Sequence, residues 1–190
     1  MISLFIGGAR SGKSGLAEAF ITAQAQGEPI IYVATAEAAP SMQQRIALHQ
    51  QRRPKEWAVI EEPYALVDVL LDNSDVNQWI IIDCLTLWLT NHLIAASDLK
   101  QQIARLIYGL QRTNANIVLV STETGLGLIP DDEMSQQFVI ASGELHQAVA
   151  TCADNVIFCQ ANLANVLKGR DYFELTSNAA QAQLTLEALC

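Results

Sequence analysis

The sequence predicts an α/β fold, a mainly parallel β-sheet with helices on both faces. Three observations predict it. Short apolar runs recur along the chain, each followed by a longer segment with apolar residues at helical spacing. The first run ends in a glycine-rich loop that opens a helix. The composition is that of a globular chain, with 51% hydrophobic and 16% charged residues in 190. Strands alternating with helices need crossover connections, and crossovers produce parallel sheets covered on both sides. The length suits one domain, expected over residues 1–190, and no repeat, long linker or low-complexity run divides it.

The elements follow in order. Residues 2–6 form an apolar run that stops at Gly7-Gly8, as a buried strand would. Residues 13–26 bring Leu16, Ala17, Phe20 and Ile21 onto one helical face, with Gly27 as the stop. Residues 29–34 (PIIYVA) are a second buried strand. Residues 40–53 are polar, but Met42, Arg45, Ile46 and His49 have the spacing of an amphipathic helix. Residues 57–60 read as a short strand, and 63–71 as a short helix with Pro63 at its first position. Residues 79–83 (WIIID) are a strand, followed by a helix from about Leu85. A helix over 98–112 has Asp98 near its start. Residues 116–121 (NIVLVS) are a strand and 125–130 a glycine-punctuated loop. A long helix over 133–152 and a strand over 155–159 complete the pattern. The tail, 169–190, is poorly defined, with a helix expected over 179–189.

Charge and cysteine usage narrow the function. Twenty acidic against 11 basic side chains leave a formal charge of −9, a field that repels polyanions, so nucleic acid is not the expected partner. A local cradle still admits a mononucleotide. The four cysteines, Cys84, Cys152, Cys159 and Cys190, form no CxxC pair and read as reduced thiols of a cytoplasmic protein. The N-terminus enters a strand directly and does not resemble a signal peptide. The most apolar stretch, 79–96, carries Asp83, Thr86, Thr90, Asn91 and His92, too polar for a membrane span.

The glycine-rich loop carries the chemistry. Gly7, Gly8, Ala9, Arg10, Ser11, Gly12, Lys13 and Ser14 match G-x-x-x-x-G-K-S between an apolar strand and a helix. The glycines let successive backbone N–H groups turn inward onto phosphate oxygens, and the helix start adds the positive end of its dipole. Lys13 would reach the β and γ phosphates, and Ser14 would offer its hydroxyl to Mg²⁺. This predicts a P-loop NTPase, RecA-like in type, with a nucleoside triphosphate as substrate and Mg²⁺ as cofactor. Asp83 closes the strand WIIID; it is either a metal-binding carboxylate beside the cradle or an ordinary strand-end aspartate.

Beyond the cradle, the YVATAE stretch, a histidine ahead of RRP, DCLTLWLTN and ETGLGLIP occur in this order. With GGARSGKS they resemble the bifunctional adenosylcobinamide kinase / adenosylcobinamide-phosphate guanylyltransferase family of cobalamin biosynthesis. The resemblance spans residues 1–168. It implies phosphorylation of adenosylcobinamide by ATP or GTP, then transfer of GMP from GTP onto the new phosphate through a guanylylated histidine. By motif position that histidine is His49. Read without the resemblance, His49 would be a surface or packing histidine of its helix. A neutral imidazole is a suitable nucleophile toward an α-phosphorus, and Arg45, Arg52 and Arg53 are candidates to stabilise the transition state. The resemblance also implies guanine-nucleotide contacts at residues 7–14, Ala34, Thr35, Gln50, Gln51, Arg52, Arg53, Glu61 and Asp83. Glu61 is either an acceptor for guanine N–H groups or a solvated strand-end residue, and Thr35 is equally readable as a turn residue. A homotrimer is the implied assembly. The alternative is a P-loop kinase of another small acceptor, without guanylyl transfer.

The C-terminal third departs from the family pattern. Where arginines, an aspartate and an asparagine are expected, this chain has Gln136, Val139, Ile140 and His146. His146 and His92 read as helix residues making local hydrogen bonds.

Overall fold

The computed structural model describes residues 1–37 and 54–169. Among these residues, twelve elements run in the order β1 (Ile2–Gly7), α1 (Lys13–Ala25), β2 (Ile30–Ala34), β3 (Ala58–Glu61), α2 (Leu66–Asp72), β4 (Trp79–Asp83), α3 (Leu85–Ile94), α4 (Leu99–Arg112), β5 (Asn116–Thr122), α5 (Glu133–Cys152), β6 (Asn155–Gln160) and β7 (Leu163–Lys168). They build one seven-stranded sheet in the order β3-β2-β4-β5-β1-β6-β7. Neighbours from β3 to β6 pair in parallel, and β7 runs antiparallel to β6.

Strand alternation splits the apolar side chains between two cores. Leu4, Ile6, Ile80, Ile82, Ile117 and Leu119 point to one face, where α2, α3, α4 and α5 cover them. Phe5, Ile81, Val118 and Val120 point to the other, where Ala17, Phe20 and Ile21 of α1 meet them. The Phe5 and Phe20 rings meet edge to face, with centroids 5.4 Å apart. Each fully buried isoleucine or leucine of these strands contributes about 2 kcal/mol. Two-sided burial explains why the central strands read as unbroken apolar runs. No helix among the described residues is long and apolar enough to cross a membrane.

Several boundaries move for local reasons. Helix α1 ends at Ala25, because Gln26 turns left-handed at φ 49 and Gly27 follows at φ 93. The helix expected over 63–71 begins only at Leu66, so Pro63 is not at its first position. The carboxylate of Glu62 instead accepts the backbone N–H groups of Tyr64 (2.9 Å) and Ala65 (2.7 Å), holding 62–65 as a turn. The strand expected over 57–60 spans Ala58–Glu61. Asp98 and Asp132 cap α4 and α5 by accepting from Gln101 N (3.1 Å) and Ser135 N (2.8 Å). Strand β7 was not expected. Ala161 and Asn162, both left-handed, reverse the chain into it, and as an edge strand it buries little. The helices expected over 40–53 and 179–189 lie outside the described residues.

Candidate active site

Strand β1 delivers the chain to Gly7, where the glycine loop begins. A Cβ on Gly7 would run into the carbonyl oxygen of Cys159 on β6, so no larger residue fits. The loop closes on itself through Ser11 N to Gly8 O (3.2 Å), with Arg10 left-handed at φ 58. Gly12 then takes φ 91 and opens α1 without a side-chain cap. Its missing Cβ leaves room for Asn162 of the β6–β7 turn, whose N–H donates to Ser11 O at 2.9 Å. Distant in sequence but beside β1 in the sheet, the β6–β7 hairpin thus packs on the loop and helps fix its curvature. The uncapped helix start leaves its first N–H groups directed at whatever the loop encloses. Lys13 is folded back, its Nζ donating to Gly8 O at 3.2 Å, and is 7% exposed. Ser11 Oγ is buried with no hydrogen-bond partner among the described residues.

Strand β4 brings Asp83 level with Ala34 on one side and Val120 on the other. Tyr32 of β2 donates its phenol to Asp83 Oδ2 at 2.9 Å. The one hint of this contact in the sequence is a tyrosine inside an apolar strand, whose hydroxyl needs a buried partner. Thr35 is fully buried and braces the backbone beyond Asp83. Its Oγ1 donates to Cys84 O (2.7 Å) and accepts from Cys84 N (2.9 Å), while its own carbonyl accepts from Asn91 Nδ2 (2.9 Å). Replacing Thr35 by valine is expected to cost about 2–4 kcal/mol, because two buried backbone groups lose their partner at nearly constant side-chain volume. Chemical denaturation checks this, and an unchanged midpoint would show that the bracket is dispensable.

Burial pushes the Cys84 thiol up to about 11, with the Asp83 charge adding to it. Burial likewise takes Cys159 up to about 12. Both are therefore un-ionised thiols at neutral pH, as expected of packing residues.

Strand β5 lies between β1 and β4, so its carboxyl end emerges between the glycine loop and Asp83. Here Glu123 N donates to Gly7 O at 3.0 Å. His146 of α5 reaches this strand end, with Nε2 2.7 Å from Ser121 Oγ and Nδ1 3.6 Å from Glu123 Oε2. Its contacts are therefore tertiary, correcting the expectation of a local bond. Burial lowers the His146 pKa, and Glu123 opposes part of that. His92 is half as expected. Its Nδ1 meets the nearby Ser97 Oγ (3.2 Å), but Nε2 lies 3.3 Å from the distant Tyr64 O, and its ring packs edge-on against Trp88 and Tyr64. Burial lowers its pKa as well. Glu61 ends β3 opposite Ala34 and is exposed. His49 and Gln50, Gln51, Arg52 and Arg53 lie outside the described residues.

A glycine loop between a parallel strand and a helix, a carboxylate at a nearby strand end and one intervening strand describe a nucleotide site. The family model that matches, over residues 3–167, is described as "Cobinamide kinase / cobinamide phosphate guanyltransferase". The chain belongs to this family. It is 43% identical over 172 residues to the bifunctional adenosylcobalamin biosynthesis protein CobP of Pseudomonas aeruginosa, covering 89% of this chain and 98% of that one. It is 31% identical over 172 residues to the bifunctional adenosylcobalamin biosynthesis protein CobU of Escherichia coli K12, covering 82% and 93%. The fold is that of P-loop ATPases: the ATPase domain of G40P superposes with a TM-score of 0.51 at 12% identity, over 90% of this chain and 77% of that one. Membership makes this chain a kinase and nucleotidyltransferase of cobalamin biosynthesis, and favours the two-activity expectation over a kinase for some other acceptor.

Proposed function

We propose that residues 1–190 form one nucleotide-binding domain that runs both family reactions from a single cradle. In the first, the hydroxyl of adenosylcobinamide attacks the γ-phosphorus of ATP or GTP and the nucleoside diphosphate leaves. In the second, a ring nitrogen of His49 attacks the α-phosphorus of GTP and pyrophosphate leaves. A phosphate oxygen of adenosylcobinamide phosphate then displaces the histidine, breaking the P–N bond and taking GMP. The imidazole suits this relay because it is both nucleophile and leaving group near neutral pH.

The observation that carries the reading is the uncapped start of α1 behind Gly12, with Lys13 folded onto the loop. Backbone N–H groups of residues 7–14 would hold the phosphate oxygens, and Lys13 would neutralise their charge. Mg²⁺ fits the donor set, since Ser14 and Asp83 offer hard oxygen ligands at the loop and at a strand end near it. When bound it would supply charge neutralisation at the phosphates. Thr35, its hydroxyl and carbonyl both engaged, would act by fixing the backbone beyond Asp83. Ala34, Gln50, Gln51, Arg52, Arg53 and Glu61 are proposed to contact the guanine nucleotide, Glu61 by accepting from the base. A cytoplasmic homotrimer is the proposed assembly, and the exposed Leu126, Leu128, Ile129 and Met134 are apolar groups that a partner copy would cover.

Mass analysis of the corrinoid after incubation with GTP and Mg²⁺ tests the reading. The expected products carry one added phosphate and then one added GMP. Phosphate addition alone would reduce the protein to a kinase, and an unchanged corrinoid would end the proposal.

A further inference from the structure

The carboxyl end of β5 carries a run of polar residues, Ser121-Thr122-Glu123-Thr124, between two strands that end in the glycine loop and in Asp83. Ser121 is fully buried and His146 is 8% exposed. Most polar groups this deep are paired, because leaving one without a partner is costly. The pairing here has one direction. Thr122 N donates to Thr86 Oγ1 at 2.6 Å, Thr86 Oγ1 lies 3.3 Å from Ser121 Oγ, and Ser121 Oγ lies 2.7 Å from His146 Nε2. Burial keeps the imidazole neutral at neutral pH, so only one ring nitrogen bears hydrogen. The Glu123 carboxylate at 3.6 Å favours that hydrogen on Nδ1. Nε2 then accepts from Ser121, Ser121 accepts from Thr86, and Thr86 accepts from Thr122 N.

The far end of this series sits on the cradle. Glu123 N donates to Gly7 O at 3.0 Å, and its Oε1 accepts from Gly125 N at 2.5 Å. Thr122 is in register with Gly7. A side chain on Gly7 would strike the Cys159 carbonyl, so β1 and β6 pack closely at this point. Through the bond from Glu123 N to Gly7 O, a displacement of residues 121–124 is passed to the first residue of the phosphate loop.

We propose that His146 is a positioning residue for phosphoryl transfer, seating the carboxyl end of β5 against Gly7 through Ser121 and Glu123. The proposal rests on the kinase reading above. At position 146 the histidine supplies a brace between α5 and the strand end beside the cradle.

The test uses full-length protein with three substitutions. H146L removes both ring nitrogens, S121A removes the hydroxyl, and H146Q keeps one acceptor and one donor. H146L is expected to lower kcat for cobinamide phosphorylation by roughly 10- to 100-fold with little change in nucleotide KM, the scale of a small misplacement of reacting groups. H146Q should recover most of that loss. The losses in H146L and S121A should combine to less than their product in the double variant. Amide hydrogen exchange supplies a readout that needs no turnover. Protection of residues 121–125 should fall in H146L while that of 80–82 holds. A wild-type protein that phosphorylates no cobinamide would defeat the kinase reading, and exchange at 121–125 would then decide whether His146 seats the loop. Wild-type kcat in H146L, equal losses in H146L and H146Q, or unchanged exchange at 121–125 would each overturn the positioning role.

Discussion

Alanine at position 13 should reduce both phosphorylation of adenosylcobinamide and guanylylation of the enzyme by roughly 10²- to 10³-fold, the effect of losing one preorganised charge donor at a reacting phosphate. The reason is geometric. Lys13 is 7% exposed and folds back onto Gly8 O, so its ammonium is held over the loop rather than in bulk water. In so enclosed a place a charge interacts with phosphate much more strongly than at an open surface. Both reactions draw on the same cradle, so both should fall together. Fold stability should change little, because Lys13 packs at the start of α1 and not in either apolar core. Nucleotide titration by calorimetry and steady-state turnover check the expectation. Unchanged affinity and rate would remove the cradle from the mechanism.

Alanine at position 49 should separate the two reactions. Guanylyl transfer should fall by on the order of 10³-fold or more, since no other group replaces a lost nucleophile. Phosphorylation of the corrinoid should persist, because its nucleophile is the substrate hydroxyl. With α-labelled GTP, the unaltered protein should take up an acid-labile, alkali-stable label, the behaviour of a phosphorus–nitrogen bond. A H49A protein that still takes up label would assign the nucleophile elsewhere. The two variants form a matched pair, one silencing both steps and the other only one.

Much of this was legible in the chain because it is local. Helix α5 was expected over 133–152 and is found at Glu133–Cys152, since apolar spacing and an aspartate cap act within a few residues. The strand WIIID occupies Trp79–Asp83 for a similar reason, an apolar run buried on both faces. The glycine loop was recognisable because its function depends on contiguous backbone. Pro63 misled because the competing signal, the Glu62 side chain binding two following N–H groups, appears in no periodicity. Strand β7 escaped because an edge strand buries too little to leave an apolar pattern.

By itself, the sequence determined the class of fold, the phosphate loop, the family and the histidine proposed to carry GMP. Each is written in short runs of residues whose chemistry acts where they stand. Only the tertiary structure decided that β5 parts the cradle from Asp83, that Tyr32 answers Asp83, that Asn162 fits against Gly12, and that His146 reaches back to Ser121 and Glu123. These pairs join residues far apart along the chain. They exist only because the parallel crossovers and the final hairpin bring strand ends to one rim of the sheet, and no local pattern encodes which distant partner a buried polar group will meet.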